Sequence, residues 1–368
     1  MYMLSIQKIL FCGLQCSLLL TLLSLGCSQT FVAPLKTRDA VGFAPRLFPV
    51  EVGGKYGYID SSGTIIITPQ YDYAYEFSNH LALVRYGNRA PTGEFYFNDF
   101  GYINMAGDMA LKPDFREVKS FSGGLARVKE AAGMFRFSQW GYIDSAGTLV
   151  IQPDYDEVGD FHDGFAWVKI VKRFFFIELS SHYAFINSRG DIITNKDFEM
   201  VGDFYEGYAP VVLDGKRGYI DTTGEIVIEP KFDQAFNFSE GLARVRSGPL
   251  WGYISTKGTY AIEPRYTLAR NFSDSLALVV VGGKINFINQ KGEVRIKPDC
   301  DNALPFSQGF AAVERGSKWG YMDTKGTITI PPRYDEAEPF FHGLARVSLP
   351  EGMGYIDFSG NYIWKPTH

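Results

Sequence analysis

An all-β chain of tandem hairpin units is the fold this 368-residue sequence predicts. Three observations carry that prediction. The stretch "KYGYIDSSGTIIITPQYD" returns as "DFGYINMAGDMALKPDF", "QWGYIDSAGTLVIQPDYD", "KRGYIDTTGEIVIEPKFD", "LWGYISTKGTYAIEPRY" and "KWGYMDTKGTITIPPRYD", with worn copies "HYAFINSRGDIITNKDFE" and "KINFINQKGEVRIKPDCD" and a closing "GMGYIDFSGNYIWKP". Aromatic residues are 15% of the chain and glycines number 39, a pairing that favours strands and turns over helices. Each copy also places a glycine at the end of a short polar turn, from Gly63 and Gly107 to Gly360.

The N-terminus differs from the rest. Lys8 precedes an apolar run, Ile9 to Leu25, and "LSLGCSQT" follows, the layout of a secretory signal. Gly26 before Cys27 resembles the lipobox of bacterial lipoproteins, with Leu25 departing from the small residue preferred two places before the cysteine. The resemblance implies a signal peptide over 1–26, lipidation at Cys27 and a tether over 27–42. Ser28, where an acidic residue would resemble an inner-membrane retention signal, points to the outer membrane or cell surface. An ordinary signal peptide or an uncleaved anchor is the alternative. With Cys27 lipidated, the mature chain keeps only Cys300, which gives no disulfide framework and no metal knuckle; a small buried residue is its expected role.

From 43 to 368 the chain is an array of nine units. The slot before Tyr or Phe falls at Gly57, Gly101, Gly141, Ala184, Gly218, Gly252, Asn286, Gly320 and Gly354, and the last five steps are each 34 residues. Each unit reads as three short strands. The first is the "LARV" type, with Ala and Val at period two. The second is "WGYID". The third is a β-branched run such as "TIIIT" or "EIVIE", which Pro is expected to end because it cannot donate to a ladder. The turn between the last two strands ends in glycine because its final residue needs positive φ. The start of the array fits as well: Phe43 and Val50 occupy the recurrent Phe and Val positions.

One such unit cannot bury its own apolar face, so neighbours must stack. Three strands in a 34-residue unit fit poorly with a propeller, whose blades have four strands and usually ~40 residues or more. The expected arrangement is an open, superhelical β-solenoid, with a closed β-propeller-like ring as the alternative. The repeat resembles the WG-repeat (KWG) family, through Trp140-Gly141, Trp251-Gly252 and Trp319-Gly320. That resemblance covers nearly all of the array and implies a binding or interaction scaffold, without supplying catalytic residues.

The expected function is a non-catalytic cell-envelope lipoprotein that scaffolds an unidentified protein partner. Net charge −5 and a pI near 5.6 argue against a nucleic-acid surface. Asp60, Asp144, Asp221, Asp323 and Asp357 alternate with Asn104, Asn187, Asn289 and Ser255 at one slot, so they read as turn acceptors rather than catalytic acids. The tyrosines Tyr58, Tyr142, Tyr219, Tyr253 and Tyr321 read as core or inter-repeat contacts. His80, His162, His182, His342 and His368 have no metal-ligand spacing, and no cofactor motif is present.

Three insertions break the period. From the Val slot to the next Gly slot takes seven residues in the last five units but 17, 13 and 16 in the three before them. All three insertions are aromatic: Phe95, Tyr96 and Phe97; Phe135 and Phe137; Phe174, Phe175 and Phe176. Equivalent insertions on stacked units project side by side, so these residues are the candidate partner site, against a reading in which they pack only on each other. Lys169, Lys172, Arg173 and Arg136 make the region locally positive. A carbohydrate or cell-wall binder is the alternative function. A repeated sugar-stacking box, however, should not admit Arg217, Ile285 and Met353 at the Trp slot.

Overall fold

The computed structural model describes residues 46–87, 99–131 and 137–365. The segment 1–26, Cys27, the tether, Phe43, Phe95, Tyr96, Phe97, Phe135, Arg136 and His368 lie outside the described residues. The repeats build nine small antiparallel sheets, seven of four strands and two of three among the described residues. Numbered as blades one to nine in chain order, they form a closed ring, a nine-bladed β-propeller. This overturns the open solenoid and matches the alternative.

Closure is visible where the two ends of the array meet. Phe48, Val50 and Ile59 of blade one share a core with Leu344 and Tyr355 of blade nine, flanked by Ile363 and Trp364. The Tyr355 hydroxyl donates to the Pro49 carbonyl at 3.0 Å. Arg46 of blade one touches His342 of blade nine. A Cβ on Gly63 would fall 2.3 Å from the Ile363 carbonyl oxygen. An open array would leave these two faces to water.

A short unit still accommodates a full blade of four strands. Blade six has strands Gln234–Ser239, Leu242–Ser247, Leu250–Ser255 and Tyr260–Tyr266. The last three are those expected from sequence. The additional first strand shrinks to two residues in blades four, five, seven, eight and nine, as at Met200–Val201 and Ala337 with Glu336, too short to show alternation. Two-residue turns then save further length: Glu206 (φ 53°) and Gly207 (φ 80°) link strands whose ends, Tyr205 and Tyr208, exchange both backbone hydrogen bonds.

Neighbouring blades are joined by one repeated contact. The tyrosine of each "WGYID" strand is buried and packs against the phenylalanine of the next blade. The ring centroids are 4.9 Å apart for Tyr58–Phe77, 4.8 Å for Tyr102–Phe121, 4.9 Å for Tyr253–Phe272 and 4.8 Å for Tyr321–Phe340. Such pairs add about 0.5–1.5 kcal/mol each beyond the area they bury. The same tyrosines donate their hydroxyls into the next blade, Tyr219 to the Phe236 carbonyl and Tyr253 to the Arg270 carbonyl, both at 2.7 Å. Burial pushes these phenols well above their ordinary range, so they remain neutral donors. Phe185 and Phe287 keep the ring contact without the hydroxyl.

The slot before the tyrosine explains the glycine of the repeat. A Cβ on Gly218 would lie 2.4 Å from the Ile228 carbonyl oxygen and 2.7 Å from the Pro230 nitrogen. The fourth strand crosses this point at a register shift, between Arg217↔Phe232 and Tyr219↔Ile228. Proline therefore does not end the strand in these blades, contrary to expectation. It occupies an irregular, outer-edge position where no N–H is needed. All five seven-residue fourth strands pass a glycine: Gly57, Gly141, Gly218, Gly252 and Gly320. The fourth strand is three residues where the slot holds Asn286, Val294–Ile296, and equally where it holds Gly101 or Gly354, so glycine permits the long strand without imposing it. Where the slot holds Ala184, only isolated bridges such as Ile186↔Ile192 remain.

Candidate functional site

The insertion in blade four is fully described. It extends the second and third strands into a hairpin, Phe165–Phe174 against Ile177–Asn187, of 10 and 11 residues. Pairing runs from Phe165↔Asn187 to Phe174↔Ile177, with one irregularity after Lys172. The run "FFFI" fails to alternate because it is the turn itself: Phe175 has φ 52°. Relative exposure is 62% for Phe174, 79% for Phe175, 69% for Phe176, 65% for Ile177 and 66% for Leu179. These values are far above those of the core and show that the tip is not packed away.

The second insertion reaches the third. Phe137 lies 5.8 Å from Phe176, ring centre to ring centre and edge-on, and the Arg173 guanidinium stands 4.3 Å over the Phe137 ring. Among the described residues self-packing between insertions accounts for one lateral ring contact, and the tip beyond it stays exposed. Phe137 is itself 39% exposed. The positive charges at the hairpin base are partly neutralised: Arg173 pairs with Asp156, and Lys169 with Glu157 at 2.8 Å. Lys172 has no ion-pair partner among the described residues.

The other sequence candidates fall into structural roles. Asp221 Oδ1 accepts from the Thr223 amide and hydroxyl, at 2.8 and 2.6 Å, and these bonds hold its carboxyl below the usual range. Asn104 and Asn187 accept from equivalent turn amides. Cys300 is half-buried against the core of blades seven and eight rather than fully enclosed. Among the described residues no group of three or more His, Cys, Asp or Glu side chains is placed to hold a metal ion. Among the described residues no helix is long and apolar enough to cross a membrane.

A set of contacts escaped the sequence reading. The residue before the glycine in "HDG", "YEG", "SEG" and "SQG" caps the next blade's turn. Asp163 accepts from the Gly207 amide at 3.0 Å, and Glu206 from the Glu240 and Gly241 amides at 2.6 and 2.9 Å. Asp274, which precedes Ser275 rather than a glycine, accepts from Gly309 at 2.6 Å, and Gln308 from Gly343 at 2.9 Å. The signal was the run of acids and amides at that one slot. The Trp slot serves as a shelf for cations: Lys129 stands 5.2 Å over Trp140, and Arg246 is 5.6 Å from Trp251.

The model of the WG-containing repeat family matches eight segments: 56–89, 100–131, 140–170, 183–216, 218–248, 251–284, 287–319 and 319–349. The chain belongs to this family. Each matched segment begins in the "WGYID" strand of one blade and reaches at least into the "LARV" strand of the next. WG repeats are therefore out of phase with the blades, and eight matches span nine sheets. No curated protein sequence matches the chain. A crystal structure of a eukaryotic initiation factor is similar in fold, with TM-score 0.54 and 11% identity over 88% of each chain. Apo AztD from Citrobacter koseri also matches, with TM-score 0.38 and 14% identity over 86% of this chain and 93% of that one. So does PorZ of Porphyromonas gingivalis, with TM-score 0.29 and 11% identity over 88% and 51%.

Proposed function

We propose that this WG-repeat propeller is a non-catalytic protein-interaction scaffold of a bacterial cell envelope, held to its membrane by a lipid on Cys27. Its partner docks on the aromatic insertions. The observation that carries this reading is the tip of the blade-four hairpin, where Phe174, Phe175, Phe176, Ile177 and Leu179 are all more than 60% exposed. Solvating so many apolar side chains together is unfavourable unless something covers them. The Trp slots support a protein partner over a glycan, since Trp140 is nearly buried and covered by lysine rather than open for sugar stacking.

The test is capture from a cell-envelope extract, with the mature chain and a variant carrying Phe174→Ser, Phe175→Ser and Phe176→Ser. The reading expects one protein retained by the parent and lost by the variant at unchanged Tm. Equal retention would reject the hairpin as the contact. Co-sedimentation of the purified chain with insoluble cell wall would favour the glycan alternative. Cys27→Ser is expected to release the protein from the membrane fraction, and an unchanged fractionation would remove the lipid from the account.

A further inference from the structure

The second strand of each blade carries a variable residue between Ala and Val, and the partners of that slot form a series. Arg127 in blade three donates from Nη1 to the Val158 carbonyl at 3.1 Å. Asp160 of the next blade accepts from Nη2 through Oδ2 at 3.0 Å and stands within ion-pair distance of Nε, 2.7 Å from Oδ1. Trp167 in blade four donates to the equivalent carboxylate, Asp203, at 3.0 Å. Arg346 in blade nine takes Glu338 of its own blade, at 2.9 Å from Nε.

Arg244 in blade six has the pose of Arg127 without the carboxylate. Its Nη1 donates to the Ala269 carbonyl at 2.6 Å, the counterpart of Val158. The position of Asp160 is now Asn271, and the position of Glu338 is Phe236, on whose ring the guanidinium stacks at 3.8 Å. Asn271 Oδ1 is buried and makes no hydrogen bond, and Arg244 Nε, like Arg127 Nε, is buried without one, but only Arg127 has a carboxylate beside it. Instead of an acid, the neighbour is a second cation, Arg270, which is exposed. No carboxylate is within ion-pair distance of Arg244 or Arg270 among the described residues.

We infer that Arg244 and Arg270 form a binding site for a carboxylate of an acidic peptide segment, in the place where blades three and four supply their own. The choice of ligand follows from the molecule, because the same guanidinium pose accepts an aspartate in blade three. A planar fork matches a planar carboxylate in two parallel bonds, and such charge-assisted bonds are the strong ones. Two guanidiniums without a counter-ion repel, and an anion between them relieves that repulsion. Burial and the charge of Arg270 together push the Arg244 pKa down, in keeping with a missing counter-ion. Phe236 and Trp251 give the ligand an aromatic flank. This site is two blades from the insertion hairpin and stands whether or not that hairpin binds a partner.

The test is calorimetric titration of the full chain at low salt with three probes: a blocked oligoglutamate peptide, its glutamine counterpart and inorganic phosphate. Binding of the glutamate peptide alone is expected. Arg244→Gln and Arg270→Gln should each weaken it about tenfold or more, the scale of a charge-assisted bond. The decisive variant is Asn271→Asp, which restores the acid found beside Arg127 and should abolish binding while leaving Tm unchanged or raised. The inference is overturned if the parent binds no glutamate peptide, if phosphate binds in its place, or if Asn271→Asp binds like the parent.

Discussion

In blade four the link between the second and third strands grows into the long hairpin ending at Phe175, whereas in blade six it closes in two residues between Ser247 and Leu250. At their junctions the two blades are alike. Phe185 meets Phe204 at 5.0 Å, and Tyr253 meets Phe272 at 4.9 Å. Asp163 caps the turn of blade five as Glu240 caps the turn of blade seven. The ring is therefore assembled by the buried tyrosine, the phenylalanine and the turn cap, and the outer hairpin link is free to vary. Length added there projects into solvent without disturbing the closure, which is what makes the link a place to put a function.

The comparison can be broken hardest at a junction. Tyr253→Ala in blade six should cost about 3–5 kcal/mol in urea unfolding, as deletion of a buried aromatic does. The matching deletion at the hairpin tip, Phe175→Ala, should stay within about 0.5 kcal/mol, as for surface positions. Equal losses would show that the hairpin is part of the fold.

Gly218→Ala should cost about 1–3 kcal/mol, since its Cβ would overlap the Ile228 carbonyl and the nearby backbone must shift. The same residue is already present in blade four as Ala184, where the regular fourth strand is missing. Amide exchange should accordingly be faster over Ile226–Phe232 in the variant than in the parent.

Tyr355→Phe removes the hydroxyl that closes the ring and should cost about 0.5–1.5 kcal/mol, as should Tyr219→Phe at an internal junction. A much larger loss for Tyr355 would make closure the weak point of the ring. The smallest effect belongs to the turn acids. The carboxyl of Asp221 has its folded pKa lowered, first by the Thr223 hydroxyl, so it adds stability above the ordinary carboxylate pKa of the unfolded chain and loses it as pH falls through the lowered folded pKa. Asp221→Asn should leave stability at neutral pH nearly unchanged and make acid unfolding slightly less steep.

Much of this architecture is legible in the sequence. The nine units, the turn glycines and the position of the insertions are periodic features, and each corresponds to an element of the ring. The first strand was not legible where it is shortest: in blade nine Glu336 and Ala337 form two residues of sheet with no room for a pattern. Closure was hidden for a related reason: it depends on Tyr355 meeting Pro49, 306 positions apart in sequence. A repeat that looks identical at every step carries no mark of where the first copy meets the last. At the site, the tip residues Phe174 to Phe176 were legible as a break in alternation. Arg244 was not, since only the placement of Asn271 beside it shows that a counter-ion is missing.

The ring is proposed to hold itself together while the insertions serve a partner. One comparison tests it directly: urea unfolding and partner capture, measured on the parent and on a variant whose three insertions are cut to the short links of blades five to nine. The account predicts stability within about 0.5 kcal/mol of the parent and complete loss of the captured protein. A variant that unfolds several kcal/mol more easily, or that keeps its partner, would contradict it.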